Sequence, residues 1–205
     1  MKLEKFRRKL REKFNEIGVV IENDHFTYTS GRHGTSYFNK DKIYENTKLV
    51  SLIAKHIANY YKSMKPEIIV APAIGGAILG QWVSRHLNYI PSIYAEKDAT
   101  NPNGFSFFRG YDELLHKDIR VLAVEDVVNT GGSLRGVIQE VQKYTKNVMA
   151  ACICNRGDVR QEELGALIDF MSLTYINASS YEYTSCPLCL SMQPMNKKFG
   201  KGRLL

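Results

Sequence analysis

The sequence predicts an α/β domain, a central parallel sheet flanked by helices, and three observations carry that prediction. Ile68–Ala71, Val121–Val124 and Met149–Cys154 are continuously apolar runs, as strands covered on both faces must be. Two of them lead into glycine turns, Gly75-Gly76 and Gly131-Gly132, which open apolar patterns at helical spacing; that is the strand–turn–helix order of a parallel sheet. The 205 residues, 44% hydrophobic and 24% charged, suffice for one domain with a real core and do not have the composition of a disordered chain.

Taken in order, Leu3, Phe6, Leu10, Phe14 and Ile17 recur at spacings of three and four, so Lys2–Glu16 reads as an amphipathic helix ended by Gly18. Val19–Ile21 reads as a short strand. Between Phe26 and Asp41, polar turn residues around Gly31 and Gly34 separate two β-like pieces, a hairpin by pattern. Asn46–Lys62 is a helix with Leu49, Leu52, Ile53, Ile57 and Tyr60 as its buried stripe, and His56 packs beside that stripe. Pro66 resets the chain before the strand Ile68–Ala71. A helix is expected from Ala77, and a third strand at Ser92–Ala95. Glu96–Gly110, with Pro102 and Gly104, is a polar segment without periodicity, the pattern of a lid or of disorder. Strand Val121–Val124 leads to Glu125 and Asp126, and a helix follows with Ser133 as N-cap and Leu134, Val137, Ile138 and Val141 facing inward. Asn147–Cys154 is the next strand, closing in Asn155-Arg156-Gly157-Asp158, and Ile168–Tyr175 the last. Tyr181–Leu205 has little periodicity.

The chemistry concentrates at Glu125–Ser133. Gly131 and Gly132 admit backbone angles closed to other residues, so their N–H groups can converge on one point. A helix start with bare amides and the hydroxyls of Thr130 and Ser133 is a phosphate site. Carboxylates beside a phosphate would repel it, so Glu125 and Asp126 are suited to accept hydrogen bonds from sugar hydroxyls, with Mg²⁺ nearby. Together these describe a site for ribose 5-phosphate. Gly75 and Gly76 repeat the arrangement on a second strand, as a ligand with phosphate at both ends requires.

A net charge of +7 suits a polyanionic small substrate and also nucleic acid. Much of the excess is terminal: residues 2–13 carry seven bases against two acids and residues 197–203 add four bases, the usual form of a solvated face, so nucleic-acid binding ranks second. No apolar run is as long as a membrane span and Met1–Lys13 is charged throughout, so a cytoplasmic protein without membrane contact is expected. Cys152 and Cys154 fall in an apolar strand. Cys186-Pro187-Leu188-Cys189 is the better candidate for metal or redox chemistry, yet it lacks a second thiol pair, and structural thiols in a reducing cytosol are the first reading.

Val124-Glu125-Asp126-Val127-Val128-Asn129-Thr130-Gly131-Gly132-Ser133 resembles the phosphoribosyl-diphosphate (PRPP) motif of the type I phosphoribosyltransferases, in wording closest to their orotate-specific branch. The resemblance implies one phosphoribosyltransferase domain over residues 1–205, with a core of about 46–175 and a small hood from about 1–45 plus the C-terminal segment. It implies that Glu125 and Asp126 hold the ribose hydroxyls and that Val127–Ser133 cradle the 5-phosphate. Asn129, standing where the family often has Thr, serves phosphate and base. Ala73, Ile74, Gly75 and Gly76 would form the pyrophosphate loop, with Lys97 and Arg109 as the cations meeting pyrophosphate from a mobile loop that reaches the partner site of a homodimer. Phe26-Thr27, Ser30-Gly31-Arg32 and the aromatic pair Tyr37-Phe38 resemble the family's amino-terminal element, where such a pair lines the pyrimidine pocket. Thr29 stands where the family often has a substrate-binding Lys, and Lys40 or Lys42 is the nearest replacement. Arg156 matches the arginine that holds the orotate carboxylate.

The reaction so implied joins orotate to PRPP, giving orotidine 5′-monophosphate and pyrophosphate, with Mg²⁺ carried mainly by PRPP and no dedicated protein ligand. Two alternatives stay open. One is the same transfer to a purine or uracil. The other is a PRPP-sensing regulator that binds nucleic acid, which predicts tight, salt-sensitive binding and little turnover.

Overall fold

A computed structural model describes residues 2–28, 31–166, 168–176 and 180–200. Thr29 and Ser30, and Lys201 and Arg203 of the basic tail, lie outside the described residues. In chain order the elements are α1 (Lys2–Glu16), β1 (Val20–Thr27), β2 (His33–Phe38), α2 (Asp41–Tyr44), α3 (Thr47–Tyr61), β3 (Ile68–Pro72), α4 (Gly75–His86), β4 (Ser92–Lys97), β5 (Phe105–Ser106), β6 (Val121–Val128), α5 (Gly132–Val141), β7 (Val148–Asn155), α6 (Gln161–Leu164), β8 (Asp169–Tyr175), β9 (Ser180–Tyr181) and α7 (Pro187–Leu190). They form two compact units, residues 47–176 and residues 1–46 with 177–205.

The larger unit is a six-stranded sheet in the order β5-β4-β3-β6-β7-β8. The five longer strands are parallel, and β5 adds a short antiparallel edge. From β3 the chain first moves outward to β4, then returns across β3 to lay down β6. That reversal makes the gap between the carboxyl ends of β3 and β6 the topological switch point, where ligands bind in open α/β sheets. The strand residues Ile68–Ala71, Val121–Val124 and Val148–Cys154 are all buried, so their unbroken apolar character is explained by cover on both faces. Alternation along the strands sorts them. Ile68, Val70, Val121 and Ala123 cluster with Leu134, Val137, Ile138 and Val141 of α5. On the other face α4 lies so close that a methyl on its Gly80 would stand 3.2 Å from Ile69 and 3.5 Å from Val124.

The smaller unit is an antiparallel sheet, β1-β2-β9. Leu10 and Phe14 of α1 join Val19, Phe26, Phe38 and Ile43 in its buried apolar set. The expected separate strand at Val19–Ile21 is instead the start of β1, which continues to Thr27 through a bulge between Glu22 and Phe26, with Asn23 at φ 60°. Polarity at Glu22–Asp24 hid that continuity. The non-periodic segment after residue 176 also contributes structure: β9 pairs with β2, and Pro187 starts a single helical turn.

Two helix starts differ from expectation. α4 begins at Gly75, not Ala77. Ser133 is not the N-cap of α5: Gly131 occupies that place in a left-handed conformation, φ 75°, and Ser133 sits inside the first turn. The switch to left-handed backbone is what a glycine permits and a serine does not.

Candidate active site

β6 is apolar over its first half, Val121–Val124, and then Glu125 and Asp126 enter the sheet almost wholly buried, 8% and 2% exposed. The Asp126 N–H donates to Glu125 Oε1 (3.0 Å), and the Val127 N–H donates to Asp126 Oδ1 (2.7 Å). Each buried carboxylate thus accepts a backbone hydrogen bond, as burial of such a group demands. The chain then turns through exposed Asn129 and Thr130 into α5. Glu125, Val127–Gly132, Ser133 and Leu134 line a pocket of about 90 Å³. The first N–H groups of α5 have no partners within the helix and the positive end of its dipole lies here, so this pocket favours an anion.

The turn is held from behind. The Arg135 guanidinium donates to the Thr130 carbonyl (3.3 Å) and to the Glu163 carbonyl. A methyl on Gly131 would fall 2.9 Å from Leu164 and 3.2 Å from Val159, so only glycine closes the turn against this wall.

The second glycine turn adjoins the first. The Ala73 N–H donates to the Ala95 carbonyl (2.9 Å), tying the end of β3 to β4, and the Ala73–Ile74 peptide is cis. Ala73 and Ile74 are exposed while Gly76 is buried. A methyl on Gly76 would stand 2.8 Å from the Val124 carbonyl oxygen and 3.2 Å from Glu125 Oε1. The start of α4 therefore rests directly on the acid-bearing end of β6. Both turns follow the carboxyl ends of neighbouring parallel strands, at the switch point.

The turn after β7 completes the rim. The Arg156 N–H donates to the Val128 carbonyl (2.8 Å). A Cβ on Gly157 would overlap the Asn129 carbonyl oxygen, at 1.6 Å. Asn155 brackets the turn: its Nδ2 donates to the Val159 carbonyl (2.8 Å) and its Oδ1 accepts from the Val159 N–H (3.1 Å). Arg156 is thereby fixed beside Asn129. Asn155, Gly157 and Arg135 were not singled out from sequence; the Asn-x-Gly spacing after an apolar strand is the only signal that points to the first two.

Lys97 ends β4, exposed, two residues beyond the Ala95 that Ala73 binds. Arg109, also exposed, donates to Glu96 Oε1 (3.1 Å), and that carboxylate raises its already high pKa. The segment 96–110 forms a short hairpin: Asp98 accepts from Thr100 and Ser106, and Asn101 donates to Glu140 (2.8 Å). Gly136 of α5 makes room for it, since a methyl there would meet the Asn103 carbonyl at 2.5 Å. Side-chain capping by Asp98 and Asn101 orders a stretch that hydrophobic periodicity cannot register.

Tyr37 and Phe38 belong to the smaller unit. Phe38 is buried with its ring edge-on to Phe14 (5.6 Å), whereas Tyr37 lies between Phe26 (5.5 Å) and Phe199 (5.6 Å). Neighbours on a strand face opposite ways, which accounts for the division. Arg32 binds Glu182 and Ser180, joining β9 to the hairpin.

A doubly wound sheet with a glycine turn after each of the two strands at its switch point, and buried acids at the end of one of them, is the architecture of phosphosugar- and nucleotide-binding domains. The sequence matches the phosphoribosyl transferase domain over residues 39–181, and the chain belongs to that family. It is 31% identical over 190 residues to an orotate phosphoribosyltransferase of Caldanaerobacter subterraneus, covering 92% of this chain and 95% of that protein. An orotate phosphoribosyltransferase of Thermoanaerobacter is 32% identical over 187 residues, 91% and 93% of the two chains. The fold is similar to the crystal structure of orotate phosphoribosyltransferase from Aeropyrum pernix, with a TM-score of 0.64 at 21% identity over 82% of this chain and 93% of that one.

Proposed function

We propose that the protein transfers the 5-phosphoribosyl group from PRPP to orotate, giving orotidine 5′-monophosphate and pyrophosphate in pyrimidine biosynthesis. The observation that carries this reading is the seat of Gly76 against the Val124 carbonyl and Glu125 Oε1, which sets the second glycine turn beside the acid-bearing end of β6, as one sugar with phosphates at both ends would need. Amides of Asn129–Ser133 hold the 5-phosphate, and the backbone of Ala73–Gly76 holds the pyrophosphate. Glu125 and Asp126 accept hydrogen bonds from the ribose hydroxyls. As the C1′–oxygen bond to pyrophosphate breaks and orotate N1 bonds to C1′, positive charge builds on the ring, and the two carboxylates stabilise it. Lys97, and Arg109 once it exchanges Glu96 for phosphate, offset the charge of the departing pyrophosphate. Arg156 forks onto the orotate carboxylate, next to Asn129. Positioning and electrostatics suffice, without a covalent intermediate.

Magnesium suits this donor set, because Glu125 and Asp126 bring hard carboxylate oxygens beside two anion-binding turns. Carried chiefly by PRPP, it would help neutralise the charge of the departing pyrophosphate. The homodimer is part of the same proposal, with the 96–110 hairpin reaching the partner's site; exposed Ile74 and Ile78, beside Tyr94 in a hollow of about 400 Å³, support an apolar contact there. Among the described residues no helix is long and apolar enough to cross a membrane, and the four free cysteines suit the reducing cytoplasm in which we place the protein.

The test is orotate consumption followed by absorbance with PRPP and Mg²⁺, run beside uracil, hypoxanthine and adenine. Turnover of a purine in preference to orotate overturns the substrate assignment. Arg156→Ala should lower kcat/KM for orotate about 100-fold, the loss of one charged fork, with little change in KM for PRPP. Equal losses for both substrates would refute the role given to that arginine.

A further inference from the structure

We propose that the smaller unit carries a structural zinc site formed by His25, His33, Cys186 and Cys189, which fastens the C-terminal segment to the amino-terminal hairpin. The four ligand atoms lie within 4.8 Å of one another. His25 Nε2 is 2.9 Å from His33 Nδ1, Cys189 Sγ is 3.3 Å from His33 Nδ1, and both thiol sulfurs are 3.7 Å from His25 Nε2. Zinc bonds of about 2.0–2.1 Å to nitrogen and about 2.3 Å to sulfur, arranged as a tetrahedron, put nitrogen and sulfur ligands about 3.6 Å apart and two nitrogens about 3.4 Å apart. The four short pairs lie within about 0.5 Å of those separations, and the widest spacing of the set, up to 4.8 Å, closes by about 1 Å as the side chains turn onto the metal.

Secondary structure assembles the set. Thr27 pairs with His33 across the hairpin, so His25, two residues before Thr27, projects from the same face as His33. Cys186 precedes the single turn of α7 and Cys189 lies within it, with the Leu190 N–H donating to the Cys186 carbonyl (3.1 Å). That spacing of three brings both thiols to one side. β9 pairs with β2 at His33 and carries the cysteine turn to the histidines.

The tautomer also fits. His25 Nδ1 is 2.9 Å from the Gln193 carbonyl, which only accepts, so Nδ1 carries the proton and Nε2 turns its lone pair to the cluster. Gln193 belongs to the same C-terminal segment, and the Asn196 N–H donates to the His25 carbonyl (2.7 Å). Both cysteines are free thiols, and His25, His33 and Cys186 are buried. Two thiolates and two imidazoles select zinc over hard cations such as magnesium, and four protein ligands leave no open position for a substrate water, so the site is structural and separate from the transfer chemistry. A small unit gains stability from such a staple, because metal binding to a site absent from the unfolded chain adds to folding free energy.

The experiment uses the full chain, grown with zinc and purified without chelator. Metal analysis should find about one zinc ion per chain. Exchange for Co²⁺ should give the intense visible bands of a tetrahedral centre with thiolate-to-cobalt bands in the near ultraviolet. The double variant Cys186→Ser, Cys189→Ser should lose the zinc and both sets of bands, while Cys152→Ala keeps them. Stripping zinc from the unmodified chain should speed proteolysis within residues 180–200 about tenfold. No zinc after reconstitution, a weak octahedral cobalt spectrum, or a Cys186–Cys189 disulfide in the freshly purified chain overturns the proposal. Should the double variant fail to fold, the cobalt spectrum of the unmodified chain decides alone.

Discussion

The two units bury different things. In residues 47–176 the centre of the sheet is hydrocarbon: whole strands such as Ile68–Ala71 and Val121–Val124 vanish between helices, Cys152 and Cys154 vanish with them, and polar side chains such as Glu125, Asp126 and Asn155 are buried towards the strands' carboxyl ends. In the smaller unit His25, His33, Thr27, Ser36 and Asn39 are buried beside a modest apolar set, and two further cysteines stand against the histidines. Burying imidazoles, hydroxyls and amides costs free energy unless something compensates, whereas burying valine and isoleucine is itself the driving force. The larger unit is held by the apolar core on both faces of its sheet; the smaller adds specific polar partners to a modest apolar set.

The largest effect that separates the units comes from glycine. Gly157→Ala places a carbon on the Asn129 carbonyl oxygen, a collision that only backbone movement relieves, and it should destabilise the protein by about 3 kcal/mol or more while abolishing turnover. Gly18→Ala, in the smaller unit, meets nothing within 4 Å and suffers only its left-handed φ of 73°, so about 1 kcal/mol is expected with turnover retained. Urea unfolding and the orotate assay on both variants check this. A mild Gly157→Ala would mean that the Arg156 turn is not rigidly seated on the turn at Asn129.

That contrast also explains what the sequence could disclose. The larger unit was legible because its strands are buried on both faces, and continuous apolar runs such as Val121–Val124 register directly. The candidate site was legible for a related reason: Glu125–Ser133 are contiguous in the chain, and all but Asp126 line one pocket. The smaller unit was not. A bulge divides β1, polar residues fill its middle, and its ligand-type residues lie in two segments more than 150 positions apart. His25 and His33 carry no signal in the sequence as partners of Cys186 and Cys189, because their alignment exists only after β1, β2 and β9 have paired. The same gap misplaced the starts of α4 and α5, which are set by glycine backbone angles and not by side-chain pattern.

The next effect is chemical, not structural. Glu125→Gln and Asp126→Asn keep a carbonyl oxygen to accept from the Asp126 and Val127 N–H groups, so folding should be nearly unchanged. Each removes one negative charge from the transition state, and kcat/KM should fall about 100- to 1,000-fold. Steady-state kinetics together with unfolding curves separate the two consequences. Intact turnover in both variants would remove the carboxylates from the mechanism.

The smallest effect compares the two cysteine pairs within one folded chain. Burial pushes the Cys154 thiol up to about 12 and the Cys152 thiol well above the ordinary range, so neither offers thiolate at pH 8 and neither is reached by reagent. Their modification should follow global unfolding of the sheet. Cys189 is half-buried, and in zinc-stripped protein it should react with an aromatic disulfide reagent well ahead of the strand pair; restored zinc should protect it. Mass mapping of the labelled peptides reads out both halves at once. Because the strand pair is shielded by hydrocarbon, zinc should leave its labelling unchanged in the native state, so protection that spreads to Cys152 and Cys154 would mean the metal stabilises the whole chain and the units do not open independently.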